Sequence, residues 1–416
     1  MVPNQELIDR RRATPRRARL TALAEGGWLV PFVLATLSAA LYVLTVSERV
    51  TLDSFLPLAD GFLHGRLHID QPMPWLELVP RPGGGFYSPF PPIPAVVLLP
   101  FVAAFGPGFD QGIATALFGG ANVALVWFLL RGAGVAPTPA GWLTAAFAVG
   151  SVHWWAAGTG TVWLHAHIVA AFFMLAALNL AVRRRWPLAV GLLLGCAAAA
   201  RLPVGLTLPL FLALSMDLPF PPWTRRPSTA QLRSGALAVI GVAVPAALVA
   251  AYNLARFGSP TEFGYGLIPG VLAEPWYARG ILAIEYIPRH LHVMFVRGFD
   301  YVDAYPWFRP NWNGTSLLLT TPILLWLVKA RSMLPLVAYG WVAIALGLTP
   351  DLLHGAHGFA QFGYRFILDV LPIMLLLLGW VFRERISIEA RVAIAIGILV
   401  NAYGVWAVTV VNFVSY

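Results

Sequence analysis

Three arginines stand at the ends of long apolar runs: Arg201, Arg256 and Arg365. A cation there is costly unless it meets an anion or a polar cavity. A guanidinium suits bidentate contact with phosphate or carboxylate, so these positions offer anion binding. The plainer reading is an arginine that snorkels from a helix end. Tyr364 directly precedes Arg365. His165 and His167 lie two apart, which on a helix turns them about 200° from each other. They are poor joint metal ligands, and one is expected to face a cavity while the other meets a neighbouring helix. Asp53 follows the first apolar run, and Asp60 lies seven residues on. An isolated acid in a loop is most often a helix cap. Gly83-Gly84-Gly85 reads as a flexible turn, and no HExxH, CxxC or Ser-His-Asp pattern occurs.

The elements that must position these residues are helices in a bilayer. Hydrophobic residues make up 58% of the 416 and charged residues 11%, and mean hydropathy is +0.72. That leaves too little polar surface to cover a soluble globule, which carries about a quarter charged residues. The net charge of +9 does not point to nucleic acid, because the arginines cluster at the ends of apolar runs. Cys196 is the single cysteine, so an intrachain disulfide is excluded. Sixteen Trp suit a chain with two membrane–water interfaces.

About 20 apolar residues span a membrane. The expected spans are 28–46, 112–130, 138–157, 161–182, 235–254, 314–328, 332–349, 364–382 and 392–412. The run 186–216 is too long for one span and is broken at Arg201-Leu202-Pro203, so it reads as two short helices, up and back. Residues 1–27 read as a basic cytosolic tail that carries Arg10, Arg11, Arg12, Arg16, Arg17 and Arg19 and pairs with anionic lipid headgroups. With the tail inside, Arg183–Arg185, Arg225, Arg226, Arg233, Lys329, Arg331, Arg383, Arg385 and Arg391 all fall inside if 90–105 does not cross. The expectation is therefore an all-α polytopic integral membrane protein with eleven crossings, an outside C-terminus, and outer segments at 47–90 and 255–313. A cysteine introduced at position 75 in a Cys196→Ser background should be labelled from outside, and one at position 228 from inside. Labelling of both from one side would overturn the topology.

Residues 54–64 read as an amphipathic helix on the bilayer, with Leu56, Ala59, Phe62 and Leu63 at helical spacing. Gly65-Arg66-Leu67 ends it, and Phe90-Pro91-Pro92 leads into a short apolar segment. An acid just past the first span, this surface helix, the aromatic-Pro-Pro lead and the order of spans after it resemble the GT-C class of polyprenyl-phosphate-sugar glycosyltransferases. The branch most similar contains protein mannosyltransferases and aminoarabinose transferases. The resemblance covers roughly 28–216, leaving 217–416 as a C-terminal transmembrane region. Tyr252-Asn253-Leu254-Ala255-Arg256-Phe257-Gly258-Ser259-Pro260 and Gln361-Phe362-Gly363-Tyr364-Arg365-Phe366 are similar to pieces of bacterial proteins placed in the same class.

The resemblance implies a sugar transfer with inversion from a polyprenyl-phosphate donor to a lipid, glycan or protein acceptor at the outer face of the cell membrane. It makes Asp53 the general base that takes the acceptor's hydroxyl proton. Arg201, Arg365 and Arg256 would hold the donor phosphate, with Asp60, His165 and Tyr364 at the substrate. Two features depart from the pattern. Ser54 stands where many members carry a second acid, and 156–167 lacks the acid that can hold a divalent metal. No metal or other cofactor is therefore expected. The alternatives are a transporter or flippase for a lipid-linked or anionic substrate, and a non-catalytic scaffold of the same class.

Overall fold

The computed structural model describes residues 27–45, 52–73, 76–303, 305–358 and 361–413. The arginine-rich tail expected to face the cytosol lies outside them. In chain order the described helices are α1 (Leu29–Leu44), α2 (Phe55–Leu63), α3 (Ile93–Val96), α4 (Leu99–Phe105), α5 (Gln111–Gly132), α6 (Pro137–Ala148), α7 (His153–Thr159), α8 (Val162–Ala181), α9 (Pro187–Ala198), α10 (Leu208–Met216), α11 (Thr229–Phe257), α12 (Ile287–Phe295), α13 (Leu317–Thr320), α14 (Pro335–Leu353), α15 (Leu371–Val381) and α16 (Ile388–Val405). Two two-residue hairpins, Val79–Pro80 with Phe86–Tyr87 and Asp300–Tyr301 with Phe308–Arg309, are the strands among the described residues. The fold is all-α, and the chain is a multi-pass membrane protein.

Among the described residues five helices are long and apolar enough to cross a bilayer: α5, α8, α11, α14, and α16 with its π-helical extension to Thr409. The other apolar runs form shorter helices, several of them broken where one span is expected. The run 138–157 divides into α6 and α7. There Ser151 turns its hydroxyl back to the Phe147 carbonyl (2.8 Å) and competes with the helical ladder. Pro322 follows α13 and opens a 3-10 segment, Pro322–Lys329, because proline cannot donate to the preceding turn. The run 364–382 begins as a 3-10 turn, Arg365–Asp369, and becomes α-helical at α15, where Pro372 occupies the first turn. Local signals also set the long helices. Asp110 caps α5 through the Gly112 amide (2.8 Å). Ser228 and Gln231 form a reciprocal capping box on α11, and Gly258 ends that helix in the left-handed region.

The run 186–216 folds as the expected hairpin. α9 leads out, the chain reverses over 199–201, and the 3-10 segment Leu202–Thr207 with α10 leads back. Arg184 and Asp217, at the two open ends, form an ion pair at 2.6 Å. α9 lies directly on α11, and the contact runs through glycine. A Cβ on Gly191 would collide with the Ala238 carbonyl, and one on Gly241 with the Leu188 carbonyl. Lipid tails are as apolar as leucine, so close backbone approach is what holds two such helices together.

α3 and α4 are four and seven residues long. They pack on α2 through Ala95, Leu98 and Val102 against Phe55, Leu56 and Ala59.

Candidate functional site at the first turn of α8

The site is assembled around the first turn of α8. Gly160, with φ +62°, closes α7 in a conformation L side chains rarely adopt, and the chain turns into Thr161 and α8. Gln111 holds this turn by donating to the Gly160 carbonyl (2.8 Å). The Val162 amide then donates to the Leu52 carbonyl (2.7 Å), which ties the segment carrying Asp53 to the start of α8. The tip of the α9–α10 hairpin reaches the same region, where Ile93 donates to the Ala199 carbonyl (3.2 Å). A helix N-terminus carries a partial positive charge, so the fold brings acids to a favourable end.

Asp53 is half-buried one residue before the cap position of α2. Its carbonyl accepts from Leu56 (2.9 Å). The cap position is occupied by Ser54, which makes no side-chain cap hydrogen bond.

Trp163 is the hub. Its indole N–H donates to Glu77 Oε2 (3.3 Å), and the Arg365 guanidinium lies 5.6 Å from the centre of its ring. Phe366 continues the contact, with Arg365 at 5.5 Å and Arg201 at 5.4 Å from its centre. Two arginines therefore flank one ring, and both lie within cation–π range. Arg365 is 7% exposed, and its amide donates to Gln361 Oε1 (3.0 Å).

Arg201 is held by two acids that the sequence reading did not single out. Its Nε and one terminal nitrogen donate to Asp369 (3.1 and 2.8 Å), and that nitrogen also reaches Asp351 (3.0 Å). Asp369 in turn pairs with His167 Nδ1 (2.7 Å), and both side chains are fully buried. His167 Nε2 and Asp351 Oδ2 are buried without a hydrogen-bond partner. The group links α8, the hairpin tip, α14 and the turn before α15. Asp351 and Asp369 sit beside apolar runs, and an ionisable residue at such a place is a functional signal by itself. That rule, applied to acids as it was to arginines, finds both.

Glu77 is the other residue missed. Besides Trp163 it contacts the Tyr265 hydroxyl (3.5 Å), which meets the Tyr277 hydroxyl at 2.8 Å. One carboxylate thus joins the segment before α3, α8 and the segment after α11. Burial pushes its carboxyl above the usual range, while the Trp163 hydrogen bond and the Arg365 charge pull it back.

Other expected residues lie elsewhere. His165 uses both ring nitrogens, one on Thr115 Oγ1 (2.8 Å) and one on the Pro94 carbonyl (3.2 Å), and is fully buried. It braces α8 against α5 and α3, and neither histidine opens onto a shared metal position. Asp60 pairs with Arg66 (3.3 Å) and His64 (3.5 Å) on the surface helix. Tyr364 is buried, with its hydroxyl 2.8 Å from His290 Nδ1. Arg256 lies between the Tyr252 ring (3.7 Å) and the Phe257 ring (4.5 Å). It donates to the Ser88 carbonyl and to Asn253 Oδ1 (2.9 Å), pinning the end of α11 to the segment before α3.

Among the described residues no group of three or more His, Cys, Asp or Glu is arranged to hold a metal ion. No protein-family model matches the chain, and no curated protein matches it. Two solved structures share its fold. Both are of ArnT from Cupriavidus metallidurans. The one bound to undecaprenyl phosphate has a TM-score of 0.51 and 17% identity, with 93% of this chain and 66% of that chain covered. The apo state has a TM-score of 0.52 and 17% identity, with 94% and 66% covered. This chain thus spans about two thirds of the length of the protein whose fold it shares.

Proposed function

We propose that this chain is an inverting glycosyltransferase that moves a sugar from a polyprenyl-phosphate donor to an acceptor at the outer face of the membrane. One observation carries the reading. The segment bearing Asp53 and the guanidinium of Arg365 converge on the first turn of α8, Val162–Trp163. They do so in a fold shared with a protein whose crystal structure holds undecaprenyl phosphate. In the proposed step the acceptor hydroxyl attacks the anomeric carbon. Its proton passes to Asp53, and the bond to the lipid phosphate breaks with its electron pair moving to the phosphate oxygen. Preorganised positive charge at that oxygen lowers the barrier.

The arginines divide this work unequally. Arg201 is already matched by two carboxylates, so a phosphate competing for it would have to displace an acid. Arg365 lies 5.6 Å from the Trp163 ring at the first turn of α8 and is the better phosphate ligand, with Arg201 supporting the field. Arg256 serves the architecture. Arg365→Ala should weaken binding of a polyprenyl-phosphate analogue at least tenfold, on the order of a lost charge-assisted hydrogen bond. Arg201→Ala should affect stability more than binding. Unchanged analogue binding in Arg365→Ala would return that arginine to a packing role.

The transporter reading draws on one observation, the buried Arg201–Asp351–Asp369–His167 group, since such groups also serve as proton relays. Counting both activities in vesicles separates the two. Substrate crossing without covalent transfer would favour the transporter.

A further inference from the structure

Resting on the reading above, we propose that Glu77 is a positioning residue that sets how tightly Arg365 holds the lipid phosphate and so speeds release of the product. Both groups attach to one indole: Glu77 Oε2 accepts from Trp163 Nε1 at 3.3 Å, and Arg365 lies 5.6 Å from the ring centre. Tyr265 fixes the second carboxylate oxygen. The carboxylate therefore stands at a defined place beside the phosphate-binding cation, and its charge acts on Arg365 ahead of that of Asp351.

The charge of the lipid phosphate changes during the reaction. The donor is a phosphodiester with one negative charge. Breaking the bond to the anomeric carbon leaves its electrons on phosphate, while the acceptor proton leaves with Asp53. The product is a phosphomonoester of about −1.5 to −2. A fixed carboxylate nearby repels the product more than the donor. Without it, Arg365 would bind both more tightly, and the product most of all. Arg201 cannot take this part, because its two acids are bonded to it directly.

The test measures binding of a polyprenyl phosphate and of a polyprenyl phosphodiester to the purified full-length chain. It compares the parent with Glu77→Gln, Glu77→Met and Glu77→Asp. Gln keeps an oxygen for the Trp163 N–H, and Met supplies a second neutral variant of similar length. Both neutral variants should bind the monoester about tenfold more tightly and the diester about threefold, as expected for removing one unit charge several ångströms away in a partly screened site. KM and kcat should fall together, and product inhibition should deepen. Asp should stay near the parent. A latch that merely joins the outer segments would act the other way, so weaker or unchanged monoester binding in both neutral variants overturns the proposal. Failure of the parent to bind either lipid overturns it together with the glycosyltransferase reading. Parent binding without tightening in the variants overturns this proposal alone.

Discussion

Asp53→Asn is expected to express, insert and bind donor as the parent does, yet to lose sugar transfer by about 10²–10⁴-fold, the usual contribution of a general base. Asparagine keeps the size and most of the capping ability of aspartate, so a change this large cannot come from helix ends. Loss of an N-cap side chain costs about 1 kcal/mol, and the cap position of α2 belongs to Ser54. The measurement is transfer from a polyprenyl-phosphate sugar by purified protein, set beside donor binding by the same sample. Transfer within a few-fold of the parent would remove Asp53 from the mechanism. The tie between Leu52 and Val162 explains why the effect should be confined to turnover. The backbone that carries Asp53 is fixed by a hydrogen bond the substitution does not touch.

The second large effect is expected in stability. Asp369, its own side chain fully buried, accepts from two nitrogens of Arg201 and pairs with His167. Asp369→Ala leaves a guanidinium with one acid and an imidazole with none. Breaking a buried pair by removing one partner costs about 3–5 kcal/mol, because the remaining charge stays buried. The expected result is a large drop in the midpoint of thermal unfolding in detergent. Removing the whole charged group costs less than breaking it. Arg201→Met, Asp351→Leu and Asp369→Leu together should therefore recover much of the lost stability. A single variant that melts with the parent would mean the acid is not engaged with Arg201.

The helical class and the hairpin at Arg201 could be read from composition and charge parity, since both follow from the cost of putting arginine in lipid. The segment carrying Asp53 is tied to the first turn of α8, where Arg365 lies near Trp163, and Arg201 and Arg365 both lie near Phe366. The error was in the partners. Arginines were weighed as anion ligands and acids only as caps, so Asp351 and Asp369 passed unnoticed although they satisfy Arg201. His165 and His167 were distinguished by helical angle, as they should be, but the angle does not say which one meets Asp369. Glu77 lies in irregular chain with no periodicity to flag it. Its importance comes from Trp163 and Tyr265, which are far from it in sequence and close in space. Broken spans were harder still. Hydropathy averages over about 19 residues and does not register a serine that bonds back to its own turn.

The hairpin that carries Arg201 has a consequence for the bilayer. Its first leg, α9, has 12 residues, or roughly 18 Å of helix at 1.5 Å per residue. Its second leg joins six 3-10 residues to nine α-helical ones, or roughly 26 Å. The first leg begins and the second ends at the face marked by the Arg184–Asp217 pair. The hydrocarbon layer is about 30 Å thick, and tilt shortens the reach further. A hairpin of this reach is expected to end short of the opposite surface, which would set a cation and two acids beneath the plane of the headgroups. A phosphate meeting them would have to dip below that plane, thinning one leaflet above α8. A lipid arriving there sinks its head and bends its tail sideways, so the thickness and stiffness of the surrounding membrane become part of the substrate's path to the protein.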